Sequence, residues 1–376
     1  MAPRIVDLAV KLRRKPTSKS RASVSGEPSL GGRSAAAAKT GSKAHRQETC
    51  VDGRRFGLGR CLAAVIAAVL VLPPAVGAQS AANRWTATRT PDGQPDLQGY
   101  WTNATVTPLE RPAELAGKEF LTEEEAIAYE KQKRLQEASQ AKDDIHYDNV
   151  IWQSESYEKG VSRRRTSLIV DPADGRVPSL TPEGRRLVAG LRRGSADNAE
   201  SRTLGERCIS RGNEGPPMLG ANYNANLQIL QTGQAVAIRH EMIHGTRIIP
   251  LDGRPHLSPR LRQLGGDSRG RWEGSTLVVD TTNFTATPNF RAPSSLGRQD
   301  IITSRDLHVI ERFTRVDAGA ILYRFTVDDP TMWTRPWSGE LLMRKWDGPI
   351  FEYACHEGNY GLAFILAAAR AQENAR

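Results

Sequence analysis

Through its second half the chain alternates apolar and polar residues in short runs, the two-residue period of strands half buried against a core. Ile321, Tyr323, Phe325 and Val327 alternate with Leu322, Arg324, Thr326 and Asp328. The same rhythm is read over residues 227–230, 236–243, 247–249, 276–280, 308–316, 340–344 and 350–353. Asp317-Ala318-Gly319 is short enough to be a hairpin loop. Asp-Gly turns at Gly93, Gly175 and Gly253 punctuate the chain, at spacings too irregular for a propeller or solenoid. At least six strands in succession, several joined by short loops, predict a mainly β (α+β) fold. Its antiparallel, twisted sheet closes toward a barrel or sandwich, with peripheral helices and a C-terminal helix.

The first half is less regular. Thr122 followed by Glu123, Glu124 and Glu125 is an N-cap with acids in the first turn, predicting a helix to about residue 138. Thr181-Pro182-Glu183 predicts a second, short helix to about residue 191, and residues 167–170 read as a strand. The pattern divides the chain into an irregular and helical arm (79–205), a β-rich core (206–358) and an Ala-rich C-terminal helix (359–376).

Charge changes the picture only at the N-terminus. The chain of 376 residues carries 52 Lys and Arg against 42 Asp and Glu. Fourteen of the basic and four of the acidic residues lie before Gln79, which leaves 38 of each in the remainder. A neutral remainder lacks the positive field that nucleic-acid binding needs, so nucleic acid is not an expected partner. Residues 61–78, CLAAVIAAVLVLPPAVGA, follow Arg54, Arg55 and Arg60 and end in small residues, the pattern of a signal peptide (51–78) cleaved after Ala78. The apolar run of about 11 residues is short of the ~20 of a membrane span, so no stable span is expected after cleavage. Arg54-Arg55 fits a twin-arginine signal as well as an ordinary secretory one. Residues 1–50 are too poor in apolar residues to fold and read as a disordered basic extension, or as a start assigned too early. The expected location is periplasmic or secreted. In that oxidising setting the two remaining cysteines, Cys208 and Cys355, form a disulfide or stay as buried thiols.

Candidate chemistry centres on His240-Glu241-Met242-Ile243-His244, which spells the H-E-x-x-H of zinc peptidases. That motif works on a helix, where both histidines share a face and the Glu activates a metal-bound water. Here the alternation of Val236, Ile238, His240, Met242 and His244 favours a strand, with His240, Met242 and His244 facing an interior as ligand-binding residues and Glu241 facing away. Two histidines two pleats apart are ~13 Å distant along a strand, too far to share an ion. A zinc site of His240, His244 and His256 is the alternative; otherwise no cofactor is expected. Glu241, and His308 with Glu311 on one predicted strand, are the candidates for acid or base catalysis. Trp333 and Trp337 bracket a loop and read either as an exposed pair that stacks on a ligand or as core. No phosphate loop, dinucleotide fingerprint or nucleophile elbow is present.

The blocks GDSRGRWEG from Gly266, TLVVDTTNF to Phe284, RTSLIVDPADGR from Arg165, IIPLDGRPH to His256, LHVIERFTRVD from Leu307, TVDDPTMWTRPW from Thr326 and YACHEGNYG from Tyr353 resemble a large family of secreted bacterial proteins of uncharacterised function. The resemblance runs from about Pro91 to Glu373 and implies export and a shared fold without naming a catalytic residue; against it His240 departs, whereas Glu241 and His244 look typical. Gly99-Tyr100-Trp101 also resembles the opening strand of lipocalin and calycin barrels. The expectation is an exported barrel that binds a small or medium organic ligand; the alternative is a zinc-dependent hydrolase or lyase.

Overall fold

The computed structural model describes residues 85–139, 162–190, 195–212, 214–220, 224–285, 290–294 and 297–375. The expected signal peptide and basic extension lie outside the described residues.

Alternation in the second half produces the expected antiparallel sheet. Its strands are β1 (Gly99–Thr102), β2 (Ile169–Asp171), β3 (Asn226–Gln231), β4 (Ala235–His240), β5 (Thr246–Pro250) and β6 (Asp267–Glu273). They continue with β7 (Thr276–Thr282), β8 (Phe290–Ser294), β9 (Gly297–Ile301), β10 (His308–Asp317), β11 (Ala320–Asp328) and β12 (Trp337–Lys345). The order is β5-β4-β3-β1-β12-β11-β10-β7-β6, with β2 added on β12 and β8–β9 a separate hairpin. The two outermost strands meet without a shared ladder among the described residues. A methyl placed on Gly270 of β6 would lie 2.8 Å from Ile249 Cγ2 and 2.7 Å from Leu251 Cδ2. The sheet is thus a nearly closed barrel whose last seam is sealed by side chains.

The inward positions are the odd-numbered ones of β10 to β12 and the even-numbered ones of β4, and they fill the barrel instead of leaving it hollow. Trp101, Phe313, Tyr323, Phe325 and Trp337 are all buried, with Phe313 and Tyr323 ring centres 5.0 Å apart. Trp337 packs edge-on to Phe325 at 5.8 Å and to Trp333 at 5.7 Å. The reading of Trp333 and Trp337 as an exposed stacking pair is therefore corrected. Register with Val327 turns Trp337 inward, a bridge to Leu180 holds the backbone at Trp333, and each indole is core.

The first half does more than coat the core. β1 is a barrel strand between β3 and β12, and Trp101 on it donates from Nε1 to the Leu97 carbonyl at 3.0 Å. Helix α1 (Glu123–Ser139) begins with a capping box, in which Glu125 N donates to Thr122 Oγ1 at 3.2 Å and Thr122 N to Glu125 Oε2 at 2.8 Å. Helix α2 (Pro182–Gly190) is capped by Thr181, and α3 (Gly361–Asn374) ends the fold. The strand expected at 350–353 does not form. There the Phe351 amide is used by a Glu241 oxygen and the Tyr353 hydroxyl accepts from Arg211, so the segment leaves the sheet. Cys208 and Cys355 are bonded, Cα atoms 5.6 Å apart, and tie this segment to residues before β3.

Candidate functional site

Among the inward side chains is a polar centre. Arg247, the first inward position of β5, forms a two-pronged pair with Glu311 of β10, Nη1 to Oε2 at 2.6 Å and Nη2 to Oε1 at 3.0 Å. Glu311 has no solvent exposure and Arg247 keeps 12 % of its side chain exposed. Tyr323 of β11 donates to Glu311 Oε1 and accepts the Met218 amide, both at 2.8 Å. Burial, then the Glu311 carboxylate, push the Tyr323 hydroxyl well above its usual range and keep it protonated. His240 is the last residue of β4, one inward position beyond Ile238, which faces Arg247 in the register. Burial, then the charge of Arg247, lower the His240 imidazole to about 3, so the ring is neutral. His240 Nε2 and Arg247 Nε are buried and have no hydrogen-bond partner.

The motif around His240 takes a form neither sequence reading anticipated. The strand stops at His240; Glu241 takes helical angles and Met242–His244 make one tight turn, with Ile243 and His244 in the left-handed region at φ 53° and 43°. The helix that H-E-x-x-H zinc chemistry requires is absent, and so is the long strand that would have set His240, Met242 and His244 on one face. His240 lies inside the barrel, His244 is exposed and His256 belongs to a network on the outer face of β7, so the three do not converge as a zinc site. Glu241 points inward to the fold and not away from it. Its Oε1 accepts from Asn224 Nδ2 at 2.6 Å, and its Oε2 accepts from Asn226 Nδ2 at 3.2 Å and the Phe351 amide at 3.3 Å. A carboxylate so occupied holds the turn and the C-terminal segment in place. Among the described residues no group of three or more His, Cys, Asp or Glu side chains is arranged to hold a metal ion.

His308 and Glu311, three positions apart on β10, face opposite sides. On the outer face His308 Nε2 meets Asp280 Oδ1 at 2.9 Å, and His256 reaches the same oxygen through Nε2 at 3.1 Å. His256 Nδ1 lies 3.0 Å from Asp267 Oδ2, which also accepts the Leu257 amide. Hydrogen bonding to Asp280 raises the His308 pKa, and the reciprocal bond lowers that of Asp280. This network fastens the loop after β5 to β6, β7 and β10.

Sequence reasoning found His240 and Glu311 but missed Arg247 and Tyr323, which complete the centre, and Asp280 and Asp267, which join the outer histidines. The inward parity of Tyr323 was readable from its strand. No protein-family model, curated protein or solved structure matches the chain.

Proposed function

We propose that the protein is an exported barrel that binds a small or medium organic ligand at the polar centre beside Arg247 and His240. The observation that carries this reading is the nearly closed barrel with a polar cluster, Arg247, Glu311 and Tyr323, among its inward side chains. Arg247 is the partly exposed member of that cluster, and contact with a ligand is placed there. Export is supported by the charged, then apolar, then small-residue leader and suits the Cys208–Cys355 bond. The zinc-hydrolase alternative is not carried further, because residues 240–244 do not present its ligands together.

Thermal unfolding of residues 79–376 with a library of small organic compounds tests the proposal. A ligand present at 100 times its Kd stabilises by about 2.7 kcal/mol, enough to raise the unfolding temperature measurably. Hits that stabilise the native protein and lose their effect in Arg247→Lys are expected. A screen whose hits are all indifferent to Arg247→Lys contradicts binding at this centre.

A further inference from the structure

The outer face of the barrel carries a separate cluster of charge. Glu340 of β12 points outward, opposite Arg324 of β11 in the ladder, yet only 5 % of its side chain is exposed. Three guanidiniums cover it. Arg324 Nε donates to Oε2 at 2.9 Å, Arg163 Nη1 donates to Oε1 at 3.0 Å, and Arg165 Nη1 lies 3.6 Å from the same Oε1. Arg165 is buried and shared with Glu119, whereas Arg163 and Arg324 keep 44 % and 55 % of their side chains exposed. Because these two hold the two oxygens of one carboxylate, their guanidiniums are neighbours, and each spends a single nitrogen there.

The next position in the row adds to the charge. Arg312 of β10 stands directly opposite Arg324, a like-charged pair that destabilises a ladder unless something answers it. Arg312 and Arg271 share one carboxylate, Glu273. Five guanidiniums thus meet three carboxylates, Glu119, Glu273 and Glu340, and two positive charges are left over. Lys118 and Arg164 do not alter the count, since they pair with Glu125 and Glu123. The backbone that sets Arg163 in place is strained: Arg163 and Arg164 take left-handed angles, φ 51° and 55°, which non-glycine residues adopt only under constraint. Glu340 already has Arg165 and Arg324, and one more half-exposed ion pair contributes too little to offset two such residues. Neighbouring planar donors with exposed edges are the set that oxyanions take.

We propose that Arg163 and Arg324, with Arg312 beside them, bind a doubly charged oxyanion, a phosphate or sulfate group, on the outer face of the barrel. The two unbalanced charges favour a dianion over a monoanion, and Glu340 is the positioning residue that holds the two guanidiniums together.

Titration of the protein at pH 7 with sulfate, inorganic phosphate or nitrate, at an ionic strength held constant with chloride, tests the site when followed by backbone amide NMR. A saturable shift centred on Arg163 and Arg324 is expected with sulfate or phosphate, and the tighter of the two identifies the oxyanion. Nitrate, a monoanion, is expected to bind about tenfold more weakly or worse. Arg163→Gln and Arg324→Gln should each weaken the dianion about tenfold, whereas Arg254→Gln, outside the cluster, should leave it unchanged. Circular dichroism melts establish that the variants fold, and either cluster variant suffices if the other does not. The shift map of the native protein decides the matter if neither does. Nitrate binding as tightly as the dianions, shifts that do not saturate or that leave Arg163 and Arg324 unmoved, or affinity indifferent to both cluster substitutions overturns the site. None of these outcomes bears on the polar centre, which Arg247→Lys tests separately.

Discussion

Glu311→Gln isolates the buried ion pair on which the polar centre is built. The substitution keeps shape and one acceptor, but its amide nitrogen points hydrogens at a guanidinium that has only hydrogens to offer, and Arg247 loses its counter-charge. Removing one member of a buried pair costs about 3–5 kcal/mol. Glu311 is wholly buried, whereas Arg247 retains 12 % exposure and recovers some hydration, which places the expected loss near the lower end, about 3 kcal/mol. Tyr323 keeps a partner in the remaining carbonyl, so its bond adds little to the loss. Urea unfolding of residues 79–376, followed by fluorescence, reads this as a lower midpoint with an unchanged slope. Because the pair costs desolvation as well as gaining attraction, Arg247→Met combined with Glu311→Leu should be less destabilised than the sum of the single changes by about 2 kcal/mol or more. A Glu311→Gln variant within 1 kcal/mol of the native protein would refute the reasoning, since it would mean that the pair is well hydrated.

Breaking the Cys208–Cys355 bond by replacing both residues with Ser should cost up to about 5 kcal/mol by loop entropy for a separation of 147 residues, read as a fall in the urea midpoint. Gly339→Ala pushes a methyl into the Phe325 ring and to 3.0 Å from the Leu168 carbonyl, and about 1–3 kcal/mol of destabilisation is expected in the same assay. The His308 pKa is raised in the fold, so its contribution to stability is complete below the unfolded value of ~6.5 and fades as pH rises through the folded one. Melting temperatures of the native protein and His308→Gln should accordingly differ more at pH 6 than at pH 9, and an equal difference at both would contradict the Asp280 bond. His240 has the opposite sign. Its folded pKa of about 3 lies below the unfolded one, so the unfolded chain takes up the proton first and acidification below pH ~6.5 costs stability, a slope that His240→Leu should flatten.

The barrel was legible because strands such as β11 carry an unbroken alternation, and the helix caps because Thr122 and Thr181 stand beside acids or Pro. Arg247 was not, for a physical reason: Ile248 and Ile249 are adjacent, so the apolar pattern of β5 fits either parity and only pairing with β4 decides that Arg247 faces inward. His240 was placed correctly on its strand, but the turn at Met242–His244 depends on Glu241 finding Asn224, Asn226 and the Phe351 amide, partners up to 110 positions away. The link from His308 to His256 runs through Asp280, 28 and 24 positions from them, and no local spacing signals it. Trp333 and Trp337 were ambiguous because a loop position says nothing of what packs over it; Leu180, from a distant segment, does.

The claim that a ligand enters the polar centre is tested most directly by methyl NMR on methionine-labelled residues 79–376 titrated with a compound that stabilises the protein in the thermal screen. Met218 donates its amide to Tyr323 and sits against the centre, whereas Met332 is held elsewhere by Asp329 and Thr181. The account predicts a saturable shift of the Met218 methyl with Met332 unmoved, and the loss of that shift in Arg247→Lys. A shift confined to Met332, or the same Met218 shift in Arg247→Lys, would contradict it.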